Sequence, residues 1–341
     1  MPPSNANCGV KKMQISFAEQ MNPQKRNTME DSHVIQHPNN SEWSHDSTFI
    51  GCYDGHGGRD IVEFLEDNLH SIICQELNHD DDAPIYERLE RSFLMADVQS
   101  KLKNIQTSGS TVAICIIERE IVSKDSNDEK CMRIKIHAAN AGDARAVLSC
   151  KPSLLSSEIT NDQGTTKLEG KNTTFHDRND ATTIRLTEDH KADDPSEVER
   201  IENAGGFFMR NRVLGIMAVA RSLGDHGMKE FVTAKPYVRS IEFCLDLNQV
   251  ASCENEDCSN ESLEEREFII LACDGLWDTM EDHEAVAIVR KFLKIQQDLS
   301  NNNDGQPLNT YDLRDKAAQI LCKEALKRGT TDNVTALVAW F

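Results

Sequence analysis

The chain predicts an α+β domain, and three observations carry that expectation. Near-continuous apolar runs at Thr48–Tyr53 and Phe268–Cys273 have the length and composition of buried strands. Met132, Ile134, Ile136 and Ala138 alternate with polar neighbours, the period of a half-buried strand. Between such runs lie a few segments whose apolar residues recur at helical spacing, such as Ile61, Val62, Leu65, Leu69, Ile72 and Ile73. Short strands interleaved with a few amphipathic helices are the pattern of an α+β fold. The 341 residues fit one large domain.

In chain order, residues 1–20 are expected as an N-terminal tail leading into a short strand, and 21–341 as a single domain. His33–Ile35 forms a strand, and 38–46 a polar loop. The Thr48–Tyr53 strand runs into Asp54-Gly-His-Gly-Gly58, and the helix of Ile61–Ile73 follows. Ile85, Leu89, Phe93 and Ala96 mark a second helix. Thr111–Ile117, Met132–Ala139 and Ala144–Leu148 are successive strands. Residues 151–183 are rich in Ser, Thr, Asn, Asp and Gly without an apolar period, which predicts a surface insertion. Ile184–Thr187 returns to strand. Asp194-Pro-Ser-Glu197 has an N-cap Asp and a Pro at the first helical position, and its helix ends at Gly205-Gly206. A second polar insertion covers 248–265. After the Phe268–Cys273 strand come helices marked by Val286, Val289 and Leu293 and by Leu313, Ala317, Ile320 and Leu321. Ser300–Gly305 is a loop between them, and Val334–Phe341 a final strand.

Net charge is −20, with no run of Lys or Arg to track a phosphate backbone, which argues against nucleic-acid binding. The eleven cysteines are scattered, without Cys-x-x-Cys or zinc-finger spacing, so a reduced, intracellular protein is expected. No signal peptide or membrane span is visible.

The chemistry concentrates where two apolar strands each end in Asp-Gly, at Asp54-Gly55 and Asp274-Gly275. Asp-Gly is also a common hairpin signal, so one occurrence alone decides nothing. Met29-Glu-Asp31 and Thr330-Thr-Asp-Asn333 add acids near the two chain ends. Converging carboxylates must be neutralised by protonation or by a cation, and an oxygen-only donor set points to Mg or Mn rather than Zn.

These residues resemble the metal-dependent protein serine/threonine phosphatases of type 2C, in particular their compact fungal members. The resemblance rests on Arg26-Asn-Thr-Met-Glu-Asp31, Asp54-Gly-His-Gly-Gly58, Ser108-Gly-Ser-Thr111, Ala139-Asn-Ala-Gly-Asp-Ala-Arg145 and Asp189-His-Lys191. It continues through Glu199–Gly206, Ala218-Val-Ala-Arg-Ser-Leu-Gly-Asp225, Asp274-Gly-Leu-Trp-Asp278 and Gly329-Thr-Thr-Asp-Asn-Val-Thr335. The motifs keep the family's order over nearly the whole chain. The resemblance implies two stacked antiparallel β-sheets flanked by helices on both outer faces, an αββα sandwich.

It also implies hydrolysis of phosphoserine and phosphothreonine by direct attack of a hydroxide held between two Mg2+ or Mn2+ ions. Asp54 would bridge the ions, the Gly55 carbonyl would ligate one, and Asp274 and Asp332 would complete the other. Glu30 and Asp31 would hold their waters or ligate directly. Arg26 would grip the substrate phosphate and His56 would protonate the leaving oxygen, although a loop histidine is also often structural. Asp143 and Asp278 fit a third, weaker metal position or, equally, turn caps. Residues 206–225 would form a flap beside the site, and its Met209-Arg-Asn-Arg212 tip is either a basic lip or an exposed hairpin. The implied partners are phosphoprotein substrates, stress-activated kinases among them, and an adaptor protein, with no nucleic acid and no membrane. The implied setting is a monomer in cytoplasm and nucleus that damps kinase signalling. A cysteine phosphatase would need His-Cys-x5-Arg, and the other large metallophosphatase family Gly-Asn-His-Glu; neither is present. A catalytically silent binding module of the same fold remains the rival from another class.

Overall fold

Alternating side chains resolve into two antiparallel sheets in the computed structural model. It describes residues 12–38, 40–123, 130–151, 154, 158–161, 164–167, 173–175, 182–246, 267–302 and 313–341. The first sheet has the strand order β1 (Ile15–Gln20), β14 (Val334–Trp340), β13 (Phe268–Ala272), β6 (Arg145–Cys150), β10 (Thr182–Arg185), β9 (Thr173–Phe175). The second runs β2 (Ser32–Gln36), β3 (Thr48–His56), β4 (Gly109–Ser123), β5 (Lys130–Ala141), β12 (Tyr237–Asp246), β7 (Glu158–Asn161), β8 (Gly164–Lys167). A two-residue strand, β11 (Leu223–Gly224), pairs with the start of β4.

The sheets stack because each presents an apolar face to the other. Ile50, Cys52, Ala113, Cys115, Ile134 and Ile136 of the second sheet share one buried cluster with Ala146, Leu148, Ile269, Leu271 and Leu337 of the first. The opposite faces are covered by helices. Helices α1 (Asp60–Leu77) and α2 (Ile85–Leu102) bury Ile61, Leu65, Leu69, Leu89 and Phe93 against Phe49, Ile114 and Ile116. On the first sheet, α5 (Asp282–Asn302) and α6 (Ala317–Arg328) bury Val286, Val289, Leu293 and Leu321 against Phe268, Ile270 and Val338. The αββα sandwich is therefore the observed architecture. Helix α3 (Pro195–Asn203) lies apart, beside the 206–225 segment, and starts as its sequence predicts: the Asp194 carboxylate accepts from the N–H groups of Ser196 and Glu197. A single helical turn, α4 (Asp274–Trp277), follows β13.

Three expectations need correction, and one strand had not been expected. The tail does not extend to residue 20, because Ile15–Gln20 is already β1, held by six residue pairs with β14 from Ile15↔Ala339 to Gln20↔Val334. The 151–183 stretch is not purely loop: β7 pairs with β12 and β8, and β9 pairs with β10, so it prolongs both sheets. Its threonines (160, 165, 166, 173 and 174) supply β-branched side chains that suit strands without an apolar period. Ser300–Asn302 continue α5 rather than opening a loop. Strand β12 is unexpected, although Ile241, Phe243 and Leu245 point alternately into the inter-sheet core. The 248–265 insertion lies outside the described residues. Among the described residues no helix is long and apolar enough to cross a membrane.

Candidate active site

Three strand ends and the loop before β2 deliver acids to one edge of the sandwich. Strand β3 carries Asp54 opposite Thr111 of β4; Asp31 immediately precedes β2; Asp274 follows β13, and Asp332 lies two residues before β14. Close approach is possible because position 55 is glycine: a Cβ there would lie 2.5 Å from the Glu30 carbonyl oxygen and 2.5 Å from Val62 Cγ2. Glu30 is fixed through its backbone, whose N–H donates to Asn333 Oδ1 at 2.9 Å.

The cluster's electrostatics are adverse. Burial, reinforced by Asp274, Asp31, Asp143 and Asp332, pushes the Asp54 carboxyl well above its ordinary value. Burial pushes Asp31 up to about 7, with Asp274 and Asp332 adding to it while the side chains of Cys273 and Thr335 oppose it. Asp274 rises to about 6, through burial and then Asp278 and Asp332. Asp143 rises to about 8, through burial and Asp274, against the opposing charge of Lys191. Asp31 Oδ2 is buried and has no hydrogen-bond partner among the described residues. One ligand atom from each of Asp31, Asp54 and Cys273 lies within 4.8 Å of the others.

Two groups flank the acids. Arg26 Nε donates to the Thr331 carbonyl at 3.3 Å, and its guanidinium also pairs with the Asp332 carboxylate. His56, at the end of β3, is half-buried, and its Nε2 lies 2.8 and 3.0 Å from the two carboxylate oxygens of Asp225. A carboxylate only accepts, so Nε2 carries the hydrogen and Nδ1 is the free nitrogen. Burial acts to raise the Asp225 carboxyl, but hydrogen bonds from His56 and Ser222 and the charges of His56 and Lys229 outweigh it and hold the group below its ordinary value.

A sequence model of the family described as Protein phosphatase 2C matches residues 15–169 and 176–334. The chain belongs to the protein phosphatase 2C family. It is a metal-dependent protein phosphatase, a hydrolase. Among its relatives, "Protein phosphatase 2C homolog 1" of Saccharomyces cerevisiae is 32% identical over 331 residues, covering 96% of this chain and 92% of that one. The protein of the same name from Schizosaccharomyces pombe is 29% identical, covering 94% of this chain and 71% of that one. In fold it is similar to a solved phosphatase from Toxoplasma gondii, at TM-score 0.60 and 20% identity, covering 97% of this chain and 96% of that one.

Protein phosphatases 2C depend in general on Mg2+ or Mn2+, and the residues here fit such ions. The donors are carboxylates, which suit hard cations, and the orphaned Asp31 oxygen with its mutually repelling neighbours is a site that positive charge would relieve. Asp31, Asp274 and Asp332 lie near enough to Asp54 to add to the rise of its carboxyl. Lys191 lies between Asp143 and Asp278: its Nζ donates to Asp278 Oδ1 at 3.0 Å and lies 3.9 Å from Asp143 Oδ2.

Four supporting residues carry no functional expectation from sequence. Asp225 closes the RSLGD motif yet is 169 residues from His56, and only the fold joins them. Asn333 Nδ2 donates to the carbonyls of Met21 (2.8 Å) and Thr28 (3.0 Å), tying the Arg26–Asp31 loop to the start of β14. Arg59 donates to the Met29 carbonyl at 2.5 Å and the Asp31 carbonyl at 3.3 Å, pinning the same loop from α1. Lys191 is the fourth. Each lies in or beside a quoted motif, which is the signal by which it was findable.

Proposed function

We propose that the chain hydrolyses phosphoserine and phosphothreonine in phosphoproteins by direct attack of water, without a covalent phosphoenzyme. The observation that carries this reading is the convergence of Asp31, Asp54, Asp274 and Asp332, from three strand ends and the loop before β2, on one charge-frustrated edge. Two Mg2+ or Mn2+ ions held by Asp54, Asp274 and Asp332, with Asp31, Glu30 and the Gly55 carbonyl, would supply Lewis acidity toward phosphoryl oxygens and toward a water.

The chain's own residues do the rest. Arg26 sits at the rim with its side chain 44% exposed, so its planar fork can take two phosphoryl oxygens in place of Asp332. The departing seryl or threonyl oxygen is a strong base and needs a proton. His56 presents Nδ1 for that transfer, while Asp225 holds Nε2 and stabilises the protonated ring. Asp143 and Asp278, with Lys191 between them, would form a third, weaker metal position. In the cell this activity would act in cytoplasm and nucleus, as a monomer, on stress-activated kinases among other phosphoproteins. It would damp kinase signalling, with an adaptor protein supplying selectivity.

The test is turnover of a thiophosphothreonine peptide made chiral at phosphorus with two oxygen isotopes, hydrolysed in water of the third. Hydrolysis that requires Mg2+ or Mn2+, stops with chelator and inverts configuration is expected. Retention of configuration would reveal a covalent intermediate, and turnover in chelator would remove the metal from the reaction.

A further inference from the structure

One group of three donors in the acid cluster is not made of oxygens alone. Asp31, Asp54 and Cys273 each offer one atom within 4.8 Å of the other two, whereas the family resemblance assigns the metals to oxygen donors only. Cys273 is fully buried, between the end of β13 and Asp274. The Thr335 N–H donates to its sulfur at 3.1 Å and its thiol donates to the Asn333 carbonyl at 3.7 Å, which fixes the sulfur's position. Burial, with Asp31 and Asp54 beside it, pushes the thiol well above its ordinary value, so the sulfur gives up its proton only to an arriving cation. Beside the sulfur, Asp31 Oδ2 and Thr335 Oγ1 are both buried without a hydrogen-bond partner among the described residues. An unpartnered carboxylate oxygen aimed into the same small space as a thiol and a second carboxylate is a donor set in need of an acceptor.

We propose that Asp31, Asp54 and Cys273 form a mixed oxygen–sulfur pocket at the buried end of the acid cluster that takes a thiophilic divalent cation of the Zn2+ and Cd2+ class. Metal–ligand bonds of about 2.0–2.3 Å put tetrahedral donor atoms roughly 3.3–3.8 Å apart, so donors up to 4.8 Å apart must close by at most about 1.0–1.5 Å. Binding forms a sulfur–metal bond and releases the thiol proton to solvent, with no redox change. Mg2+ and Mn2+ use oxygen donors and gain little from the sulfur, so Cys273 biases the pocket toward softer ions. Asp54 serves both donor sets, so a soft ion here competes with the hard ions above it. This pocket rests on the cluster being a cation site and not on any catalytic step, so failure of the hydrolysis reading would leave it standing.

The test uses the full chain with Cys8, Cys253 and Cys258 changed to Ser, stripped of metal and titrated with Cd2+ alone. One equivalent is expected to produce a thiolate-to-cadmium charge-transfer band in the ultraviolet, which Mg2+ does not produce. Losing even an outer partner of a ligand costs 10–100-fold in affinity, so Cys273→Ser should abolish the band and weaken Cd2+ binding by at least about 100-fold. Cys52→Ser and Cys322→Ser should keep it. Persistence of the band in Cys273→Ser overturns the proposal. Should that variant fail to fold, the NMR shift of bound cadmium in the otherwise unchanged chain decides: a sulfur-ligated shift is expected, and an all-oxygen shift refutes.

Discussion

Replacing Asp225 by Asn keeps the shape of the residue behind His56 and removes its charge. In the structure both carboxylate oxygens lie within 3.0 Å of His56 Nε2, and the carboxylate is stabilised as an anion. A hydrogen bond to a charged partner contributes about 1.5–3 kcal/mol, here to the protonated ring that donates to the leaving group. At 1.36 kcal/mol per factor of ten, kcat on a phosphothreonine peptide should fall by roughly 10- to 150-fold. An aryl phosphate leaves as a far less basic phenolate and needs little proton donation, so its kcat should fall much less. The assay is the ratio of the two kcat effects, with thermal unfolding to establish that Asp225→Asn is folded. Gly109→Ala offers an independent perturbation of the same pair, because a Cβ there would lie 2.0 Å from Asp225 Oδ2 and 2.4 Å from His56 Nε2. It should skew the ratio in the same direction. Equal losses on both substrates would refute the reasoning, and Asp225 would then be a structural anchor for the site.

Three further outcomes follow from the same geometry. Asp274→Asn removes a metal-neutralising charge and should cost at least ~10³ in rate, about 4 kcal/mol of barrier, while chelator-treated protein keeps or gains thermal stability because repulsion is relieved. In chelator, Asp31, Asp274 and Asp143 have folded-state values of about 7, 6 and 8, above those of the unfolded chain, so ionisation favours unfolding. Melting temperature should therefore fall as pH rises from about 4 to 8, and saturating Mg2+ should flatten that slope; a slope of the opposite sign would mean the acids are compensated by something other than a cation. Asn333→Ala removes three hydrogen bonds around a buried side chain and should destabilise the metal-free protein by about 2–4 kcal/mol in denaturant titration. It should also weaken Mg2+ binding by roughly 10–100-fold in calorimetry, as loss of an outer support does.

The parts of the site that sequence made legible share a physical cause. Asp54 and Asp274 each terminate a buried apolar strand, so their neighbours announce both the strand and the place where it stops. Asp31 and Asp332 were legible only as motif members, because the loops that hold them are ordered by Asn333, Asn22 and Arg59 rather than by a local pattern. The His56–Asp225 pair had no local signature at all, since 169 residues separate its members. Polar content misled at the edges of the sheets. Phe17 of β1 is exposed, and the threonines of β7 to β9 lack the apolar alternation by which a half-buried strand is recognised, so edge strands looked like tail and insertion.

The site's disfavoured charge follows from where the supporting energy comes from. Asp31 and Asp54 would move apart if their backbone were free, but both are anchored from outside the cluster. Asp54 sits in the β3–β4 ladder opposite Thr111, above the Ile50 and Cys52 contacts of the inter-sheet core. Asp31 has its carbonyl held by Arg59 from α1, and the loop before it is held by Asn333 from the start of β14. Repulsion among the carboxylates is thus borne by packing several residues away, so the acids stay converged and gain free energy when a cation arrives. Weakening a tie such as Asn333, which touches none of the carboxylate oxygens of Asp31, Asp54 or Asp274, should therefore relax the empty cluster and lower metal affinity together. A change that lowered affinity while leaving the metal-free protein's pH slope intact would place the ties outside this coupling.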